Sequence, residues 1–169
     1  MSEEEKREFH PELVPRRGEI NAWIFSVLTA AGVFVLLTKQ GVPIWIWIFL
    51  GFLVFSAVSI SFGNWIDRRA TIVMEENGIH FENGLRSVRL GWREVQQVAV
   101  LPSRWGKNVQ VIGEKSHFGF KTLGEVQFQG KVRGRTGFAA GDEILNTILK
   151  EANLQLVEKK EKEYYYARA

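Results

Sequence analysis

INAWIFSVLTAAGVFVLLT at residues 20–38 and VPIWIWIFLGFLVFSAVSISF at residues 42–62 decide the fold, because neither run holds a charged side chain. As helices their 19 and 21 residues reach about 28 and 32 Å, the thickness of a hydrocarbon core. Both predict transmembrane helices. A cleaved signal peptide has a shorter apolar stretch and is not followed at once by a second span. A buried hairpin of a soluble protein needs a polar outer face, which neither run supplies. The connector Lys39-Gln40-Gly41 is so short that the helices must be antiparallel neighbours, with Gly41 and Pro43 marking the turn and the new helix start.

The flanks give an orientation. Arg16 and Arg17 precede the first run and Arg68 and Arg69 follow the second, against Lys39 alone in the turn. Cationic flanks stay on the cytoplasmic side, so both termini are expected in the cytoplasm of a multi-pass inner (plasma) membrane protein. Trp23 and Trp65 then anchor the inner interface, and Trp45 and Trp47 the outer one. Ala22, Ser26 and Ala30 recur every four residues, and a tight hairpin sets Gly51 opposite Ala30 and Ser59 opposite Ala22. Such small faces let helices approach closely. Packing within the hairpin is their plainer use, and a homo-oligomer is compatible with them. No ionisable side chain falls in mid-membrane, which removes the usual residue evidence for proton relays and ion-coupled transport.

Outward from the hairpin the composition is ordinary. The 169 residues average 46% hydrophobic and 24% charged, a soluble-looking mean that hides the clustering of four of six Trp in or beside the two runs. Without Cys there is no disulfide, thiolate nucleophile, Cys-based zinc site or iron–sulfur cluster. Residues 67–169 hold 17 basic and 13 acidic side chains, too weak a surplus for nucleic acid.

From Ala70 onward the apolar period becomes two. Thr71-Ile72-Val73-Met74 reads as a strand ended by Glu75-Glu76-Asn77-Gly78, whose Asn-Gly signals a hairpin. Ile79 and Phe81, then Val88, Leu90 and Trp92, Val98 and Val100, Val109 and Val111, and Phe118 and Phe120 continue the alternation. A last strand carries Val126, Phe128 and Val132 on one face. Seven short strands at this spacing predict a small antiparallel barrel or sandwich. A helix follows, with Asp142 as N-cap, a stripe of Ile144, Leu145, Ile148, Leu149 and Ala152, and Asn153 to close it. The fold class is therefore α+β: a polar segment at 1–19, a transmembrane hairpin at 20–66, a β-domain with its helix at 67–156, and a charged tail at 157–169. Both polar ends are expected to be mobile extensions, the tail frayed around Tyr164-Tyr165-Tyr166.

The segment ATIVMEENGIHFENGLRSVRLGWREVQQVAVLP resembles the start of bacterial pleckstrin-homology-like (PH-like) domains. Gly78, Ile79, Trp92 and Val95 occupy the places of that pattern, and TGFAAGDEILNTILKEANL resembles the family's closing helix. The resemblance covers residues 68–156 and implies a binding or assembly module, often beside a two-helix membrane hairpin. It carries over no ligand residues. Where the eukaryotic lipid-binding version places a basic cluster, this chain has Glu75-Glu76-Asn77-Gly78.

Chemistry is sparse. The glycines at 130, 134, 137 and 141 fit no phosphate-binding pattern. His10, His80 and His117 form no metal-ligand spacing, and Asp67 and Asp142 read as an interface residue and a helix cap. No catalytic residue, cofactor, metal or small-molecule substrate is expected. Lys131, Arg133 and Arg135 alternate, so a regular strand would point all three at one face. With Arg68 and Arg69 they are the candidate contacts for anionic lipid or a partner, at about 1 kcal/mol per cation near a charged surface. A solvated or charge-protected edge strand is the plainer reading. The expectation is a non-enzymatic membrane protein presenting its domain to a membrane protein complex, as accessory or assembly factor. An anionic-lipid sensor is the alternative.

Overall fold

A computed structural model describes residues 6–12, 16–39 and 41–168, without the side chains of Val126, Phe128 and Arg133. In chain order, two short strands, β1 (Arg7–Phe9) and β2 (Pro11–Glu12), precede the helices α1 (Arg17–Lys39) and α2 (Ile44–Arg68). Then come β3 (Thr71–Glu75), β4 (Gly78–Glu82), β5 (Ser87–Gly91), β6 (Val95–Pro102), β7 (Lys107–Gly113) and β8 (His117–Lys121). They are followed by β9 (Gly124–Phe128), β10 (Lys131–Phe138), α3 (Gly141–Glu151), β11 (Leu154–Lys160) and β12 (Glu163–Arg168). The chain divides into two units, residues 15–66 and the remainder, so the hairpin is an insertion within the β-domain.

Both helices of the hairpin are long and apolar enough to span a membrane, and only 11% and 6% of their most apolar windows are buried. A 3.6-residue period puts Ser26 and Val33 of α1 and Ala57 of α2 in the seam. The expected register is corrected here: Ala30, Gly51 and Ser59 are exposed, and a Cβ on Gly51 would meet nothing. Two hydrogen bonds set the true register, Trp23 Nε1 to Ser61 Oγ at 2.8 Å and Asn64 Nδ2 to Glu19 Oε2 at 3.0 Å. Polar pairing at one end outweighs the small-residue spacing, because each such group left unpaired in an apolar medium costs more than a missed methyl contact.

In the β-domain the expected alternation appears as burial. Sheets run in the orders β1-β3-β4-β5, β11-β12-β6-β7-β8 and β2-β10-β9, and their strand pairs are antiparallel. Their apolar faces and that of α3 share one core, including Ile72, Ile79, Val98, Val111, Ile144 and Ile148. Phe81, Phe118, Phe120 and Phe138 form a ring chain through it, with centroids 5.1–6.5 Å apart. An isolated parallel bridge, Thr122 to Phe138, ties the small sheet to the edge of the large one.

Four expectations about this unit change. The polar segment before the hairpin contains β1 and β2, which pair with β3 and β10; residues 1–5 and 13–15 lie outside those described. The tail is a hairpin, and β12 is an interior strand paired with β6. Tyr164 and Tyr166 pack against the core from it. The last predicted strand is two, joined at Gln129-Gly130, both with positive φ (+51° and +74°); the side chains of Val126 and Phe128 lie outside those described. Asp142 is not the N-cap: Ala140 occupies that position without a side-chain cap, and Asp142 pairs with Lys107 Nζ at 3.0 Å. Asn153 does close the helix, in the left-handed region at φ +52°.

Gly106, Gly137 and Gly141 acquire a structural role. Thr122 is buried, and its Oγ1 accepts the Lys107 N–H at 2.9 Å. A Cβ on Gly106 or Gly141 would come within 2.6 Å of Thr122, and one on Gly137 would collide with its carbonyl oxygen. Backbone from three elements thus closes on one threonine, which only glycine permits.

Candidate functional site

The hairpin β3–β4 determines what lies beside the exit of α2. Thr71 pairs with Glu82, so the chain that leaves α2 at Arg68 runs out along β3 and returns on β4 to the level where it started. The next turn, residues 83–86, therefore sits against Arg69: a Cβ on Gly84 would fall 2.7 Å from Arg69 Cδ. Asn83 preorganises this turn. Its Oδ1 accepts the N–H groups of Leu85 and Arg86 at 3.3 and 3.0 Å, and its own N–H donates to the Arg86 carbonyl at 3.1 Å. Leu85 projects from the tip, 58% exposed.

The cations of β10 are placed differently from the sequence expectation. Val132 pairs with Gln127 and Gly134 with Val126, so Arg133 is the extra residue of a bulge. Lys131 is opposite position 128 and Arg135 opposite position 125. Positions three apart on a regular strand fall on opposite faces, so Lys131 and Arg135 do not share one. The Arg135 guanidinium also lies 3.3 Å from the Glu125 carboxylate. Arg133's side chain lies outside those described. Of the five candidate cations, Arg68 ends α2 and Arg69 abuts the 83–86 turn.

Among the tryptophans, Trp23 is held by Ser61, Trp45 and Trp47 are exposed in the first turn of α2, and Trp65 stacks on Phe62 at 5.9 Å. Trp45 and Trp47 lie in the first turn of α2 and Trp65 in its last, while Trp23 lies near the start of α1. The hydroxyls of Ser26, Thr38 and Ser56 each donate to a carbonyl three or four residues earlier, which leaves them satisfied in an apolar medium.

Trp92, the residue on which the PH-like resemblance leans, ties the domain's ends. Its Nε1 donates to the Glu76 carbonyl at 2.9 Å, and its own carbonyl accepts from Arg168 at 3.1 Å. Sequence reasoning passed over three exposed apolar sites: Leu85, Trp105 with Arg104 5.2 Å over its ring, and Leu156-Val157 on the outer strand β11. Leu85 was hidden by its polar neighbours, and β11 by a tail whose charges alternate without a turn residue.

Among the described residues no group of three or more His, Asp or Glu side chains is gathered to hold a metal. Among the described residues, Tyr165 and Lys160 have displaced proton affinity. A hydrogen bond to Glu163 is the main cause that raises the Tyr165 phenol, and one to Glu158 raises the Lys160 ammonium. Each of these contacts lies within one strand, Tyr165–Glu163 in β12 and Lys160–Glu158 in β11. No family model matches the chain, and no curated protein or solved structure matches it.

Proposed function

We propose that this chain is a non-enzymatic, multi-pass inner-membrane protein whose α1–α2 hairpin holds a PH-like domain at the cytoplasmic face. There the domain binds another membrane protein, as accessory or assembly factor of a complex. The observation that carries the membrane part is the nakedness of the helices: Phe25, Phe34, Phe52 and Phe55 are all exposed on them. Leaving so much apolar surface in water costs about 25 cal/mol per Å², which a bilayer removes. The PH-like reading rests on antiparallel sheets sharing a core with α3 and on the position of Trp92; it departs from that pattern in the strands β1, β2, β11 and β12. The binding role draws support from the outer strand β11, which offers backbone hydrogen-bonding groups beside exposed Leu156 and Val157. An unpaired strand edge of this kind accepts an extended partner segment.

The test is affinity purification of the full-length chain from native membranes in mild detergent, with mass spectrometry of what accompanies it. A stoichiometric membrane protein is expected, lost on Val157→Lys; recovery of the chain alone would falsify the accessory role.

A further inference from the structure

Covalent connectivity keeps the start of β3 close to the end of α2. Arg69 follows the last residue of α2, consecutive Cα atoms are about 3.8 Å apart, and the 83–86 turn rests on the Arg69 side chain. We infer that this turn is a membrane-docking site, in which Leu85 inserts between phospholipid headgroups while Arg69 and Arg86 meet the phosphates of anionic lipids. The inference rests on the membrane-anchor part of the proposed function and goes beyond it.

Three features fit that occupant. The tip is apolar and exposed where turns ordinarily place polar residues. Its backbone N–H groups at Leu85 and Arg86 are already taken by Asn83, so entry into the interface strands neither of these two donors. The charge is complementary: Arg68, Arg69 and Arg86 outnumber the neighbouring acids Asp67 and Glu82, and guanidinium groups bind phosphate oxygens in a fork. The other end of the same hairpin, Glu75-Glu76-Asn77, is acidic and lies a strand length away, about 17 Å for five residues. One end of β3–β4 is suited to an anionic surface and the other is not.

Because the chain has no Cys, one introduced thiol reports on one site. Full-length protein carrying Leu85→Cys, Glu76→Cys or Phe52→Cys is labelled with a polarity-sensitive fluorophore. It is then reconstituted in vesicles of phosphatidylcholine with phosphatidylglycerol, containing phospholipid spin-labelled at the headgroup or in the acyl chain. The expected result is blue-shifted emission at position 85 that headgroup labels quench, and emission at 76 that they leave unchanged. Position 52 is quenched by acyl-chain labels. Quenching at 85 should fall on Arg86→Glu and in vesicles of phosphatidylcholine alone. Equal behaviour at 85 and 76, or quenching at 85 indifferent to both charge changes, overturns the docking site while position 52 upholds the anchor. An unquenched position 52 overturns the anchor itself.

Discussion

Gly137 shows how little latitude single residues have here. It sits at φ +94°, and a Cβ there would strike the Thr122 carbonyl, so Gly137→Ala combines backbone strain with overpacking. Loss of about 3 kcal/mol or more is expected, read as a lowered denaturation midpoint of the detergent-solubilised chain. Ile148, fully buried on α3, should cost about 2–5 kcal/mol as alanine, whereas exposed Val157→Ser should stay within about 0.5 kcal/mol. Tyr165 makes a pH prediction. Its folded pKa is raised, so the neutral phenol is the form the fold favours. That contribution is complete below the ordinary tyrosine value near about 10 and fades as pH rises through the higher folded value. Raised Lys160 acts in the same sense, its ammonium being favoured until the alkaline range. Spectrophotometric titration should therefore show Tyr165, identified by Tyr165→Phe, ionising later than a free tyrosine, with Glu163→Ala bringing it back down.

Among the elements, β12 carries the clearest consequence. An interior strand holds the hydrogen-bond ladder of β6 on one side and β11 on the other. Removing residues 154–168 should therefore expose β6 and the core, giving aggregation or loss of the cooperative melt. A dispensable tail would leave the melt unchanged. This element was not legible in the sequence for physical reasons. Its loop is Glu161-Lys162, with Glu161 itself at φ +43°, so no glycine or asparagine announces the turn. Three consecutive tyrosines mask the alternation that sends 164 and 166 to the core. β1 is too short to show a period at all. By contrast, β3 to β8 were legible because Val and Phe at every second position can be buried only on one face of a pleated strand. The two long helices were legible because each is an uninterrupted apolar run, of 19 and 21 residues, on either side of a turn marked by Gly41 and Pro43. Asn77-Gly78 was found for an incomplete reason: the loop is Glu76-Asn77, and Gly78 is already in β4, small because the Leu90 carbonyl passes over it. The cationic face of β10 failed because a bulge is a matter of pairing, which alternation along one strand does not encode.

For the whole molecule, β1 and β3 flank the hairpin and pair with each other, which requires them to share a compartment. The hairpin therefore crosses a bilayer twice or not at all, a constraint independent of the arginine flanks. Under the proposed orientation, protease added outside intact cells should leave the β-domain undigested, and cleavage within it would overturn the topology. The lipid-sensor alternative, in the form that groups Lys131 with Arg135, meets two obstacles, their opposite faces and the Arg135–Glu125 pair.

The sheets also impose an order on biosynthesis. β1 and β2 leave the ribosome before either helix, yet their partners β3 and β10 are translated only after both. Of the strands described, the interior strand β12 emerges last. Under the proposed membrane anchor, the nascent chain presents its hairpin for insertion while the surrounding domain is still open. The large sheet can close only once β12 is available, so a hairpin inserted during translation under that proposal would precede the completed fold by topology rather than by relative rates.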